Sequence, residues 1–127
     1  MGHFKAMAIK AVMTLIVFWI ILGAIYGMSF WPMILLTTVI LGVISYFVGD
    51  LITLPAVGNM MATLSDLVFV FFGVWLLGMW LTDTTGGTAA MAAIVSAIVI
   101  GIGEYFFHIY MIKSGPISRK DADNSEY

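Results

Sequence analysis

Glu104 and His108 stand one helical turn apart in GIGEYFFHIYMIK, the stretch from Gly101 to Lys113. A carboxylate and an imidazole at i and i+4 share a helix face, where they can exchange a hydrogen bond, hand on a proton or hold a cation. Three more ionisable residues sit singly in otherwise greasy runs: Lys10 in AIKAVM, Asp50 in FVGDLITLP and Asp66 in ATLSDLVF. Together they are the raw material of an ion-pair network or of a proton or cation pathway. Glu104 and His108 could share a metal with Asp66 as a third oxygen donor, but helical Glu-x-x-x-His pairs recur by chance, so no metal and no cofactor is expected. HExxH, a phosphate-binding loop and a Ser-His-Asp arrangement are all missing, and the chain is read as non-enzymatic.

Composition decides the environment of these groups. Of 127 residues, 62% are hydrophobic and 9% charged, and the mean hydropathy is +1.10. Soluble domains carry about a quarter charged residues. So few polar side chains cannot cover a water-facing surface, and the lipid bilayer is the expected partner. Without cysteine there is no disulfide framework, thiolate ligand or thiol nucleophile. A net charge of -2 and five scattered basic residues argue against a nucleic-acid partner. The first apolar stretch, Ala11 to Met28, lacks a small-x-small cleavage site and is read as a retained helix.

The elements that must position the ionisable groups are four spanning segments, at 7–29, 32–54, 60–82 and 88–112. About 20 residues cross the hydrocarbon core, and in lipid they must be helical to satisfy their own backbone groups. Pro32 suits the first turn of the second helix, Pro55 breaks it, Asn59 is placed to cap the third and Thr88 the fourth. Short links make sequential neighbours antiparallel, so the fold class is all-α, an integral membrane four-transmembrane-helix antiparallel bundle over 1–112. The polar remainder, 113–127, reads as a disordered cytoplasmic tail. Lys5, Lys10, Lys113, Arg119 and Lys120 flank the terminal helices, which puts both termini in the cytoplasm of a multi-pass plasma-membrane protein. Trp19 and Trp75 fall deep within spans and are read as packing residues, whereas Tyr26, Trp31 and Trp80 fall at the outer ends as interfacial anchors.

At 1.5 Å per residue, Lys10 lies ~5 Å inside helix 1, Asp50 ~6 Å from the inner end of helix 2, Asp66 ~9 Å from that of helix 3 and Glu104 ~12 Å from that of helix 4. The charged residues therefore share one inner-leaflet layer. Helical angle adds Thr14 above Lys10, Tyr46 beside Asp50, and Asn59 and Thr63 on the face of Asp66. Lys10 is expected to pair with Asp50 or Asp66, leaving Glu104 to His108 or Tyr46. Ala89, Ala93, Ala97 and Gly101 form a small-residue stripe on the face of Glu104 and His108, of the kind that lets helices approach closely in lipid.

The opening HFKAMAIKAVMTL, the run VGDLITLP followed by GNMMATLSD, and FGVWLLG resemble the YndM-like family, over about residues 3–112. The resemblance implies a small four-span membrane protein of endospore-forming bacteria and a domain of unknown function. It marks Asp50, Pro55, Gly58, Asn59, Thr63 and Asp66 as pattern positions and implies no activity. Small multidrug transporters place an acid in mid helix 1, where this chain has Thr14, Phe18 and Trp19; fluoride channels need a membrane arginine, and none precedes Arg119. Two functions are therefore weighed. The first is a structural or assembly component of the bacterial membrane that associates through the helix 4 stripe. The second is a small proton or cation channel or transporter using Glu104 and Asp66, which as a pore requires a homo-oligomer.

Overall fold

The computed structural model describes residues 2–113, and every regular element among them is helical. Among the described residues, three stretches are long and apolar enough to cross a membrane: His3–Ile25, Phe30–Leu81 and Gly86–Lys113. Residues 114–127, most of the expected tail, lie outside the described residues.

The first stretch is α1, Gly2–Phe18, widened into a π-helical turn region at Trp19–Ile25. It ends where Gly27 takes φ 70°, with the Met28 amide donating to the Leu22 carbonyl. The chain re-enters at Phe30, two residues earlier than expected. Trp31, ahead of Pro32, is extended at φ -113°, ψ 127°, the conformation that a following proline ring enforces. From there α2, Leu35–Ile44, leads into a second wide region, π-helical Ser45–Thr53, and then into α3, Leu54–Leu81.

The reversal expected at Pro55 falls instead at Gly58. Pro55 lies within the continuous helical turns that arrive through Ser45–Thr53, and the helix breaks only at Gly58, at φ 87°, ψ 171°, a region essentially closed to other residues. Contacts across the break show the sense of the two limbs. Gly49 lies against Asp66 and Leu41 against Gly73, positions nearly equidistant from Gly58, so the limbs fold back antiparallel. Asn59 does not cap the third helix but turns its side chain into the interior. The fourth helix, α4, Gly86–Lys113, is capped by Thr85 rather than Thr88: the Thr88 amide donates to Thr85 Oγ1 at 3.3 Å.

Packing of α4 on α3 uses the small residues. Ala89, Ala93, Ala97 and Gly101 are all buried, and a Cβ at Gly101 would come within 2.7 Å of the Leu67 side chain. Two apolar clusters result, one around Phe18, Leu22, Ile34, Val74 and Ile100, the other around Ala6, Leu54, Phe107 and Met111. The ionisable residues occupy the layer between them. Trp19, expected to pack, is 60% exposed on the outer face, while Trp75 is half-buried and donates to the Gly86 carbonyl.

Candidate functional site

Four parts of the chain meet in this layer. α1 delivers Lys10, the π-helical stretch delivers Ser45 and Asp50, α3 delivers Asn59, Thr63 and Asp66, and α4 delivers Glu104 and His108. Asp50 follows Ser45 by five positions, an offset that an α-helix would point in different directions; a π-helix closes its hydrogen bonds from i to i+5 and brings both to Lys10. Gly49 completes the local design, since a Cβ there would lie 2.9 Å from Asp66 Oδ1. Only a glycine allows the carboxylate of α3 to come this close to the helix opposite.

The Lys10 ammonium has three hydrogens and three acceptors. It donates to Asp50 Oδ2 at 2.5 Å, to Ser45 Oγ at 2.8 Å and to the Glu104 carboxylate at 2.9 Å. It also lies 5.2 Å from the centre of the Phe107 ring, within cation–π range. None of its hydrogens is left for Asp66. That carboxylate receives a long contact from Ser45 Oγ, 3.4 Å from Oδ1.

On the far side of the carboxylates stands His108, wholly buried. Its Nε2 lies 2.8 Å from Asp50 Oδ1, 3.2 Å from Asp66 Oδ2 and 3.6 Å from Glu104 Oε1. Its Nδ1 lies 2.8 Å from Asn59 Oδ1, with Thr63 Oγ1 at 3.2 Å. The Asn59 amide is oriented by the Tyr105 carbonyl, which only accepts, so its NH2 points there at 3.1 Å and its oxygen faces the ring. Nδ1 therefore carries the hydrogen, and Nε2 is the nitrogen turned on the three carboxylates. A single N–H at Nε2 serves Asp50, and Asp66 Oδ2 remains buried without a hydrogen-bond donor among the described residues.

Charge counting sets the chemistry. Three carboxyls face one ammonium and one imidazole, so even an imidazolium leaves one negative charge over. Burying such a charge is costly unless a proton or a cation completes the set. Two cavities flank the layer: one of about 120 Å³ reaches Lys10 and Tyr46, and one of about 130 Å³ reaches Ser45, Gly49 and Asp66.

The structure brings Lys10, Asp50, Asp66, Glu104 and His108 together, with Asn59 and Thr63 at the imidazole. Lys10 pairs with Asp50, one of its two expected partners, and also binds Glu104, while Ser45 takes its third hydrogen. Glu104 is thereby tied to Lys10, with His108 Nε2 3.6 Å away, so the expected hydrogen bond to His108 or Tyr46 gives way to the ion pair. Tyr46 instead meets His3, with 2.9 Å between its hydroxyl and Nδ1. Thr14 lines a void of about 10 Å³ with Lys10 and Glu104, and its hydroxyl has no hydrogen-bond partner among the described residues. Ser45 and His3 escaped sequence reasoning: α-helical angles separate Ser45 from Asp50, and His3 precedes the expected start of the first span.

Fold and site define a helical membrane protein with an occluded ion-pair layer. The chain belongs to the family described as "Protein of unknown function (DUF2512)", whose model matches residues 1–127. It is 35% identical over 115 residues to the "Uncharacterized membrane protein YndM" of Bacillus subtilis (strain 168), a match covering 90% of this chain and 63% of that relative, so the chain spans less than two thirds of the relative's length. This agrees with the resemblance carried by the VGDLITLP and GNMMATLSD runs. No solved structure matches the chain.

Proposed function

We propose that this chain is a non-enzymatic, four-span protein of the bacterial plasma membrane that handles protons or small cations at the buried layer, with Glu104 and Asp66 as the working acids. In this reading Phe30–Leu81 crosses twice, folding back at Gly58, and both termini lie in the cytoplasm. The observation that carries it is the surplus acid: three buried carboxyls share one lysine and one histidine. A purely structural layer would be expected to balance its charges, whereas a transport site must bind and release one. The cavities beside Lys10 and Asp66 supply short routes to the layer. As a pore the chain requires a homo-oligomer, because one small bundle packed with side chains has no continuous channel.

The alternative, a structural or assembly component, drew on the helix 4 stripe. Ala89, Ala93, Ala97 and Gly101 are buried against the chain's own helices, which leaves that face nothing to offer a partner. Purified protein in proteoliposomes loaded with a pH-sensitive dye tests the proposal: flux is expected with the wild type and not with the Glu104→Gln, Asp66→Asn double variant. Equal flux from the two would refute it.

A further inference from the structure

We propose that Asp50, Asp66, Glu104 and His108 Nε2 form a site for one divalent first-row transition-metal cation. This deepens the cation-handling reading, on which it rests only for what becomes of the ion once bound. Spacing along the chain favoured no metal; the assembled geometry does. One ligand atom from each residue lies within 4.8 Å of every other. A cation with bonds of roughly 2.1 Å holds its ligands roughly 3.0 to 4.2 Å apart, with a tetrahedral edge of roughly 3.4 Å, and side-chain rotations close the remaining gap. The distances from Nε2 to the three oxygens, 2.8, 3.2 and 3.6 Å, already bracket a tetrahedral edge.

Two independent features point to a ligand. Asp66, 3% exposed, aims Oδ2 into the group with no hydrogen-bond donor, and the cavity of about 130 Å³ opens beside it. The second is the arrangement behind the ring. Metal-bound histidines donate their other N–H to a carbonyl or carboxylate, which fixes the ring and raises its basicity. Here Nδ1 meets Asn59 Oδ1, and Asn59 is itself pinned by the Tyr105 carbonyl. A cation entering the group takes the place of the Nε2 proton, and with Nδ1 still holding its hydrogen the ring then directs its lone pair at that cation. Lys10 cancels one of the three negative charges, and the remaining two equal the charge of one divalent ion. One nitrogen among three oxygens suits manganese, iron(II), cobalt or zinc; copper(II), which binds such donors most tightly, is set apart only by its preference for tetragonal geometry, and the imidazole discriminates against magnesium and calcium.

The test uses the full chain in lipid nanodiscs, stripped with chelator and titrated with Co2+, Zn2+, Mn2+ and Mg2+. One Co2+ or Zn2+ per chain is expected in the wild type and in Asp83→Asn, a control in the exposed turn before α4. Asp66→Asn, checked for helicity and monodispersity, should bind at least about tenfold more weakly. No saturable binding in the wild type, or unchanged affinity in Asp66→Asn, overturns the site. Should that variant misfold, the wild-type Co2+ spectrum decides: intense visible bands of four-coordinate cobalt support the site, and the pale spectrum of hydrated octahedral cobalt overturns it. Dye flux without metal binding removes this site and leaves the transport reading standing; metal binding without flux does the reverse.

Discussion

Replacing Lys10 by Met isolates the electrostatics of the layer. The two side chains are similar in length and both apolar along the stem, so contact with Phe107 is kept while the ammonium is lost. What disappears is the donor to Asp50, Glu104 and Ser45, at 2.5 to 2.9 Å, from a residue 2% exposed. At an effective dielectric constant of about 20, each charge pair near 3 Å is worth roughly 5 kcal/mol of gross attraction, most of it offset by desolvation. Removing one partner forfeits the attraction and keeps the desolvation, which typically costs 3–5 kcal/mol. Unfolding in mixed micelles titrated with sodium dodecyl sulfate, followed by helical circular dichroism, should show a loss of about that size. Adding Glu104→Gln removes one orphaned charge, so the double variant should recover at least about 1 kcal/mol relative to Lys10→Met alone. A Lys10→Met loss below about 1 kcal/mol, or a double variant showing the sum of the two single losses, would refute an ion pair between these groups.

Gly49→Ala should push Asp66 off the π-helical stretch, because the new Cβ would sit 2.9 Å from Oδ1; flux and cation affinity should fall several-fold with helicity unchanged, read in the same proteoliposome and titration assays. Gly58→Ala forces φ 87° on a residue with a side chain and should cost about 1–3 kcal/mol in the micelle unfolding assay, with no change if the fold-back lies at Pro55 instead. Replacing the layer wholesale, as Lys10→Met, Asp50→Leu, Asp66→Leu, Glu104→Leu and His108→Leu, should leave stability equal or higher while abolishing flux, since apolar replacement of a complete buried ionic group is often neutral or stabilising. A large loss of stability there would mark the layer as structural.

Helical content and the apolar stretches were legible because lipid leaves the backbone few alternatives, and mean hydropathy reports lipid directly. The shared depth of Lys10, Asp50, Asp66 and Glu104 was legible for the same reason: a fixed rise per residue converts position into depth. Partnership was not, because it depends on local departures from that regularity. The wide turn at Ser45–Thr53 rotates Ser45 onto Lys10, which decides between the two expected acids in favour of Asp50. The fold-back lies at Gly58 rather than at Pro55, because the helical turns arriving through Ser45–Thr53 continue past Pro55 whereas a φ of 87° selects glycine. The small-residue stripe was located correctly by angle, but angle does not say whether the helix that fills it belongs to the same chain.

Stability alone gives a poor account of the layer. Apolar side chains of equal volume would fill the space between the two apolar clusters without desolvating any charge. The hydrogen bonding is also uneven in a way that a structural brace would not need. Lys10 is saturated by Asp50, Glu104 and Ser45, and the Nδ1 side of His108 is saturated by Asn59 and Thr63. Between these two satisfied ends, Asp66 Oδ2 is left without a donor. An Asn at position 66 would supply its own donors and remove the surplus charge with little change of shape. That the chain carries Asp there, behind a glycine that makes room for it and beside a cavity, is what a site does when it keeps a place for a positive charge that comes and goes.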